Sequence, residues 1–175
     1  MNIEFAFLDA LQTIRTDFLD GFMVFVSSLA DKGAIWILLA VILIAMPKYR
    51  RVGIVLACGL VIDLLLCNLL IKPLVARPRP CDVNTVMEYL IERPHGWSFP
   101  SGHTAASFTA AAALFFAQCR LWIPCAVLAA LIAFSRLYLY VHFPTDVLGG
   151  VVVGIFAGWL GCLLAKRMNS EISHH

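Results

Sequence analysis

Two histidines, a carboxylate and several cations stand in three short clusters, and together they could carry out phosphoryl transfer. The first cluster runs Lys72-Pro-Leu-Val-Ala-Arg77-Pro-Arg79-Pro80. Its prolines fix φ and disfavour helix, so an extended segment would hold an ammonium and a guanidinium at a set separation. A guanidinium grips a phosphate through two parallel hydrogen bonds, and an ammonium adds point charge. The second cluster is Ser98-Phe-Pro100-Ser101-Gly102-His103. Ser101 suits a helix N-cap, and the free N–H groups of a first turn favour an anion. Gly102 lets a ligand approach the backbone, and His103 can donate a proton near neutrality. The third cluster comprises Ser135-Arg136, His142 and Asp146. A four-residue offset brings Asp146 to the imidazole of His142, fixing one ring nitrogen and freeing the other to attack. Each cluster alone also has an ordinary structural reading. Interfacial cations snorkel to water, and a capped helix often carries a polar neighbour.

The elements that must position these residues are membrane helices. The chain of 175 residues is 61% hydrophobic and 14% charged, with a mean hydropathy of +0.87. Soluble domains average about 25% charged residues. A net charge of +2 gives no basis for nucleic-acid binding. Four apolar stretches approach the roughly 20 residues of a transmembrane helix: Val52–Ile71, Ser101–Gln118, Leu121–Tyr140 and Thr145–Ala165. Gly33–Met46 is a shorter fifth, and Phe18–Ala30 a sixth. Ile3, Phe7, Leu8, Leu11 and Ile14 recur at helical spacing, which reads as an amphipathic helix on the membrane surface. The expected architecture is an all-α integral membrane protein of about six transmembrane helices. One domain spans residues 1–170, followed by a short tail, with no removable signal peptide.

Strict alternation of these spans puts Lys48, Arg50, Arg51, Arg120, Lys166 and Arg167 on one side, taken as cytoplasmic. The other side receives the long Lys72–Pro100 loop and the Val141–Pro144 turn, so all three clusters share one face. Lys72, Arg77, Arg79 and Arg93 also lie there, and anion binding would explain cations on the side that usually lacks them. Three cations, a helix N-terminus, two histidines and a carboxylate can stabilise phosphoryl oxygens, attack in line and protonate the departing oxygen without a metal. A metal site built from His103, His142 and Asp146 is the competing enzyme reading. A transporter would use buried Asp63 and Arg136 along a pathway, but no internal repeat accompanies them.

Lys72-x6-Arg79-Pro80, Pro100-Ser-Gly-His103 and Ser135-Arg136-x5-His142-x3-Asp146 resemble, in order and spacing, the three signature motifs of the type 2 phosphatidic acid phosphatase superfamily. The resemblance covers Lys72 to Asp146 and the surrounding spans, and the conjunction of three motifs is highly specific. It implies that His142 is a nucleophile forming a phosphohistidine, that Asp146 orients it, and that His103 is the general acid. It implies phosphate binding by Lys72, Arg79, Ser101, Gly102 and Arg136, with no metal or other cofactor. Soluble vanadium haloperoxidases share this site, and the apolar spans set that branch aside. Small bacterial members act on undecaprenyl diphosphate or phosphatidylglycerophosphate, so the implied partners are a lipid phosphate or diphosphate and the surrounding membrane lipids. One such subgroup carries Asp where this chain has Gly102. The implied location is the cell membrane, with the site on the extracytoplasmic face.

Four readings fall outside the motifs. Nine helical residues separate Asp63 from Lys72, which places them on opposite faces and favours an interhelical hydrogen bond for Asp63. Asn68, four residues before Lys72, shares its face. Val83–Arg93, with Met87, Tyr89, Leu90 and Ile91, suggests a short amphipathic helix over the site. Arg77 is either a supporting cation or a solvated charge.

Overall fold

The computed structural model describes residues 3–85 and 89–172, with side chains described as far as residue 167. Among these residues every regular element is a helix, and there is no strand. The elements are α1 (Ile3–Gln12), α2 (Asp17–Ser28), α3 (Ala34–Ala45), α4 (Arg50–Asp63), α5 (Lys72–Val75), α6 (Pro80–Val83), α7 (Gly102–Phe116), α8 (Trp122–Tyr138) and α9 (Pro144–Ile172). A 3-10 turn over Asp31–Gly33 joins α2 to α3, and a π-helix over Leu64–Ile71 joins α4 to α5.

Helix α7 lies at the centre, packed on α4, α8 and α9. Its run of alanines keeps the surface shallow, and the glycines of α9 meet it closely. A Cβ at Gly154 would stand 2.4 Å from the carbonyl oxygen of Ala105, and one at Gly158 would stand 2.7 Å from the amide of Ala113. Small residues at such a contact let two backbones approach where apolar driving force between membrane helices is weak. The core around this contact contains Val26, Trp36, Leu43, Leu56, Leu114 and Ile132.

Two stretches, Arg50–Val83 and Pro144–Arg167, are long and apolar enough to cross a membrane, the first with its helix interrupted at residues 76–79. Helices α2 and α3 satisfy the same measure only as a pair, bent by 43° at the break between them. The expected separate spans Phe18–Ala30 and Gly33–Met46 are therefore the two arms of this bent pair. Helices α7 and α8, with 15 and 17 residues, extend about 22 and 26 Å, short of the ~30 Å hydrocarbon layer. Arg51, Gln118 and Lys166 share a cavity at one end of the bundle, and Lys72 closes the opposite end of the α4 stretch. The basic connections thus gather at one end and the three clusters at the other.

The loop differs from its sequence reading in three ways. Lys72–Val75 keeps a helical turn, because Pro73 sits in a first turn where its missing N–H is tolerated. The chain then reverses at Ala76, which has φ 46°, and only Arg77–Arg79 runs extended. Tyr89–Arg93 is not helical; Tyr89, Leu90 and Ile91 instead pack against Cys81, Tyr138 and Val141. Met87 lies outside the described residues. All six cysteines are free thiols.

Candidate active site

A cavity of about 470 Å³ opens at the cluster end of the bundle, within the range of small-molecule sites. Lys72, Arg79, Gly102, His103, Arg136 and His142 line it, so the fold brings six of the eight expected site residues to one space. Asp146 and Ser101 stand behind that lining. Ile37, Leu60, Leu64 and Ala106 supply an apolar wall, and Lys32 from the α2–α3 turn adds another cation.

His142 lies in the turn between α8 and α9, only 2% exposed, and is reached through the cavity. Arg79 Nη1 stands 3.1 Å from its Nε2. A guanidinium can only donate, so Nε2 holds the lone pair and Nδ1 carries the proton of the neutral ring. Nδ1 is 3.6 Å from Asp146 Oδ2, which is ion-pair proximity rather than a hydrogen bond. The Ser98 hydroxyl fills the gap, 3.4 Å from Nδ1 and 2.5 Å from Oδ2. Burial, reinforced by the charges of Arg79 and Arg136, outweighs the upward pull of Asp146 and holds the His142 pKa at about 3. The ring is therefore neutral, with a lone pair facing the cavity.

Asp146 is fully buried at the start of α9 and is held on every side. The Phe143 amide donates to Oδ2 at 2.8 Å, and Arg77 Nη1 donates to Oδ1 at 2.8 Å. Arg77 also reaches Thr145 Oγ1 at 2.6 Å and Glu4 Oε2 at 2.6 Å, with its guanidinium 4.0 Å from the Phe143 ring centre. Glu4 in turn accepts from the Thr145 amide and hydroxyl at 3.2 and 2.7 Å. Burial alone would raise the Glu4 pKa, but the hydrogen bonds from Thr145 and Arg77 leave it below its ordinary value. Arg77 is thus a support for Asp146, settling the choice its sequence position left open.

Arg79 has two tasks. Besides Nε2 of His142, it donates to the carbonyls of Gly96 (2.9 Å), Val141 (3.1 Å), Trp97 (3.3 Å) and His95 (3.4 Å). It therefore pins the long loop over the site as well as charging the cavity. Arg136 is buried and donates to the Ser27 hydroxyl, while its Nε has no hydrogen-bond partner among the described residues.

Ser101 caps α7, its hydroxyl accepting from the Thr104 amide at 3.5 Å and the Thr104 hydroxyl at 3.0 Å. Its own amide donates to the Asp146 carbonyl at 3.0 Å, tying the second cluster to the third. Both contacts use the hydroxyl oxygen as acceptor. Gly102 opens toward the cavity; a Cβ there would meet Lys72 Nζ at 3.3 Å and Asn68 Oδ1 at 3.5 Å. Lysine and asparagine thus converge on the N-terminus of α7, as their shared helix face suggested.

The opposite-face expectation for Asp63 is corrected. Nine α-helical steps of about 100° leave two residues half a turn apart. The π-helix over Leu64–Ile71 closes its hydrogen bonds over five residues and turns less per residue. Asp63 and Lys72 consequently line the same cavity. The predicted interhelical bond is not formed: Asp63 Oδ1 has no hydrogen-bond partner among the described residues.

Three functional partners escaped the sequence reading: Ser98 between His142 and Asp146, Glu4 behind Arg77, and Asp31, whose Oδ1 lies 2.8 Å from His103 Nε2. Among the described residues no group of three or more His, Cys, Asp and Glu side chains is arranged to hold a metal ion.

Residues 52–169 match the model of the PAP2 superfamily. The chain is 33% identical over 162 residues to an undecaprenyl-diphosphatase of Sulfolobus acidocaldarius, covering 91% of this chain and 76% of that protein. It is 36% identical over 146 residues to the undecaprenyl-diphosphatase BcrC of Bacillus subtilis, covering 81% and 72%. The fold superposes on the crystal structure of Aquifex aeolicus LpxE with a TM-score of 0.79, at 27% identity, covering 92% of this chain and 95% of that one.

Proposed function

The chain belongs to the PAP2 superfamily of membrane phosphatases, and on that premise we propose that it converts undecaprenyl diphosphate to undecaprenyl phosphate through a phosphohistidine on His142. One observation carries the mechanism. His142 presents Nε2 to a cavity lined by Lys72, Arg79 and Arg136, while Nδ1 is backed by Ser98 and Asp146.

In the first step Nε2 attacks the terminal phosphorus as the phosphoryl oxygens take over donors of Arg79 and Lys72. The bond from phosphorus to the bridging oxygen breaks, its electron pair stays on that oxygen, and His103 supplies the proton. The phosphorylated ring keeps its Nδ1 proton beside Ser98 and Asp146, which offset its positive charge. In the second step a water molecule gives a proton to the now neutral His103 and attacks phosphorus. The P–N bond returns its pair to Nε2, and inorganic phosphate leaves. In-line displacement of this kind relies on positioning and charge.

A diphosphate is favoured over a monophosphate by the cations available. Lys32 lines the same cavity as Lys72, Arg79 and Arg136, which offers a second phosphate group a cation of its own. The chain is read as five helical passes, with α2 and α3 together forming one bent pass, α7 and α8 in a locally thinned layer, and the site extracytoplasmic. The basic end containing Arg51 and Lys166 supports that orientation.

Purified protein should release phosphate from undecaprenyl diphosphate faster than from phosphatidylglycerophosphate or phosphatidic acid, and should do so in excess chelator. Acid quench after reaction with a terminally labelled substrate should leave label on the wild type and none on His142→Ala, whose turnover should fall at least about 10³-fold. Unimpaired turnover in His142→Ala would end this mechanism, and a preference for a glycerolipid would reassign the substrate.

A further inference from the structure

We propose that Asp31 is the positioning residue for the proton donor, holding His103 so that its second ring nitrogen faces the departing oxygen; this rests on the phosphatase reading above. The carboxylate Oδ1 lies 2.8 Å from His103 Nε2. A carboxylate only accepts, so Nε2 carries a proton, and Nδ1 is left as the working nitrogen. No hydrogen bond reaches Nδ1 among the described residues, and the ring lines the cavity beside Gly102 and Arg136.

The backbone around Asp31 is shaped for this contact. Lys32 and Gly33 both take left-handed conformations, with φ 54° and 73°, and turn the chain sharply between α2 and α3. That bend aims Asp31 across at the first turn of α7. A second tie fixes the same two elements: Trp36 Nε1 donates to Ser107 Oγ at 3.0 Å, and Ser107 Oγ donates to the His103 carbonyl at 2.7 Å. Both the ring and the main chain of His103 are therefore tied to the start of α3.

The charges around the ring make a carboxylate necessary. Arg136 from α8 and Lys72 from α5 face the same cavity, and their charges oppose a positive charge on His103. Asp31 is the anion on the other side, and its contact favours the imidazolium that an acid requires. The site then holds two imidazole–carboxylate pairs in opposite settings. His142 and Asp146 are almost wholly buried at the cavity, which keeps the ring neutral for attack. The Asp31 side chain is 65% exposed, so its pair with His103 meets water and can be reloaded with a proton. In the first step the Nδ1 proton passes to the oxygen that receives the P–O bond pair, and His103 becomes neutral while Nε2–H stays on Asp31.

The test uses Asp31→Asn and Asp31→Glu in the full chain, with an alkyl phosphate and 4-nitrophenyl phosphate as poor and good leaving groups. Asp31→Asn should lose on the order of 10- to 100-fold in kcat on the alkyl ester and less than about threefold on the aryl ester, with Asp31→Glu recovering much of the loss. Equal losses on both esters, or no loss on either, would overturn the proposal. A second readout does not depend on turnover: the ¹⁵N-imidazole titration midpoint of His103 should fall by about one pH unit in Asp31→Asn. An unmoved midpoint would also overturn it. Wild-type protein that releases phosphate from no ester would defeat the phosphatase reading, and the titration would still decide the Asp31–His103 pairing.

Discussion

At His142 each ring nitrogen is committed to a different neighbour, and the protonation state follows. With its pKa held at about 3 by burial and adjacent guanidinium groups, the ring stays neutral while an unfolded chain would take up a proton near 6.5. Between those values the unfolded state binds more protons, so acidification over this window costs stability and raising the pH restores it. The ¹⁵N resonances of His142 should accordingly show a neutral, Nδ1-protonated ring down to about pH 4. A titration midpoint near 6.5 would contradict the geometry. Arg77 offers a second test at this scale. Its guanidinium is 25% exposed and holds the buried Asp146. Arg77→Met should cost about 1–3 kcal/mol in a denaturation midpoint, because Asp146 loses its charged donor. It should also lower kcat by roughly 10- to 100-fold through misplacement of His142. The convergence of the histidines, Asp146, Lys72, Arg79 and Arg136 was legible because they fall at span ends, whereas that of Lys32 was not. Ser98, Glu4 and Asp31 were not. Glu4 and Asp31 meet partners 73 and 72 residues away, and no local pattern announces such pairs. Ser98 opens the second cluster, ahead of its motif, but its contacts belong to the third.

At the scale of elements, the departure from plain helix over Leu64–Ile71 decides which residues enter the cavity. Hydrophobic periodicity reads this stretch as ordinary α-helix, since an apolar run facing lipid gives the same pattern at either pitch. The sequence therefore located the span and missed its rotation. That rotation aligns Asp63 with Lys72 and leaves Asn68 beside the α7 N-terminus. Deleting Leu65, which is 51% exposed on the outer surface, should tighten the stretch and swing Lys72 away from Gly102. Phosphate release should fall by about 100-fold while the protein still elutes as a monodisperse, helical species. Retained activity would show that the pitch is immaterial. The bend between α2 and α3 reads in sequence as a gap between two separate spans, because Asp31, Lys32 and Gly33 interrupt the apolar run. What composition could not show is that the bend delivers a carboxylate to His103.

Across the whole molecule, the catalytic end is assembled from distant parts of the chain. Helix α1 reaches the site through Glu4 and Arg77, and Asp9 accepts from the Tyr140 hydroxyl at 2.7 Å in the turn that carries His142. Asp20 of α2 takes the Tyr138 hydroxyl at 2.5 Å, and α7 and α9 lock together through alanine and glycine. The all-helical class and the gathering of motifs at one end were readable from hydropathy and charge. The inward role of α1 was not, because an amphipathic stripe looks the same whether it rests on lipid or on protein. Its consequence is practical. The first helix is wired to the Asp146 carboxylate by one guanidinium, so a bulky group attached to α1 would be felt at His142. The far pole of α9 is the safer place for a purification handle.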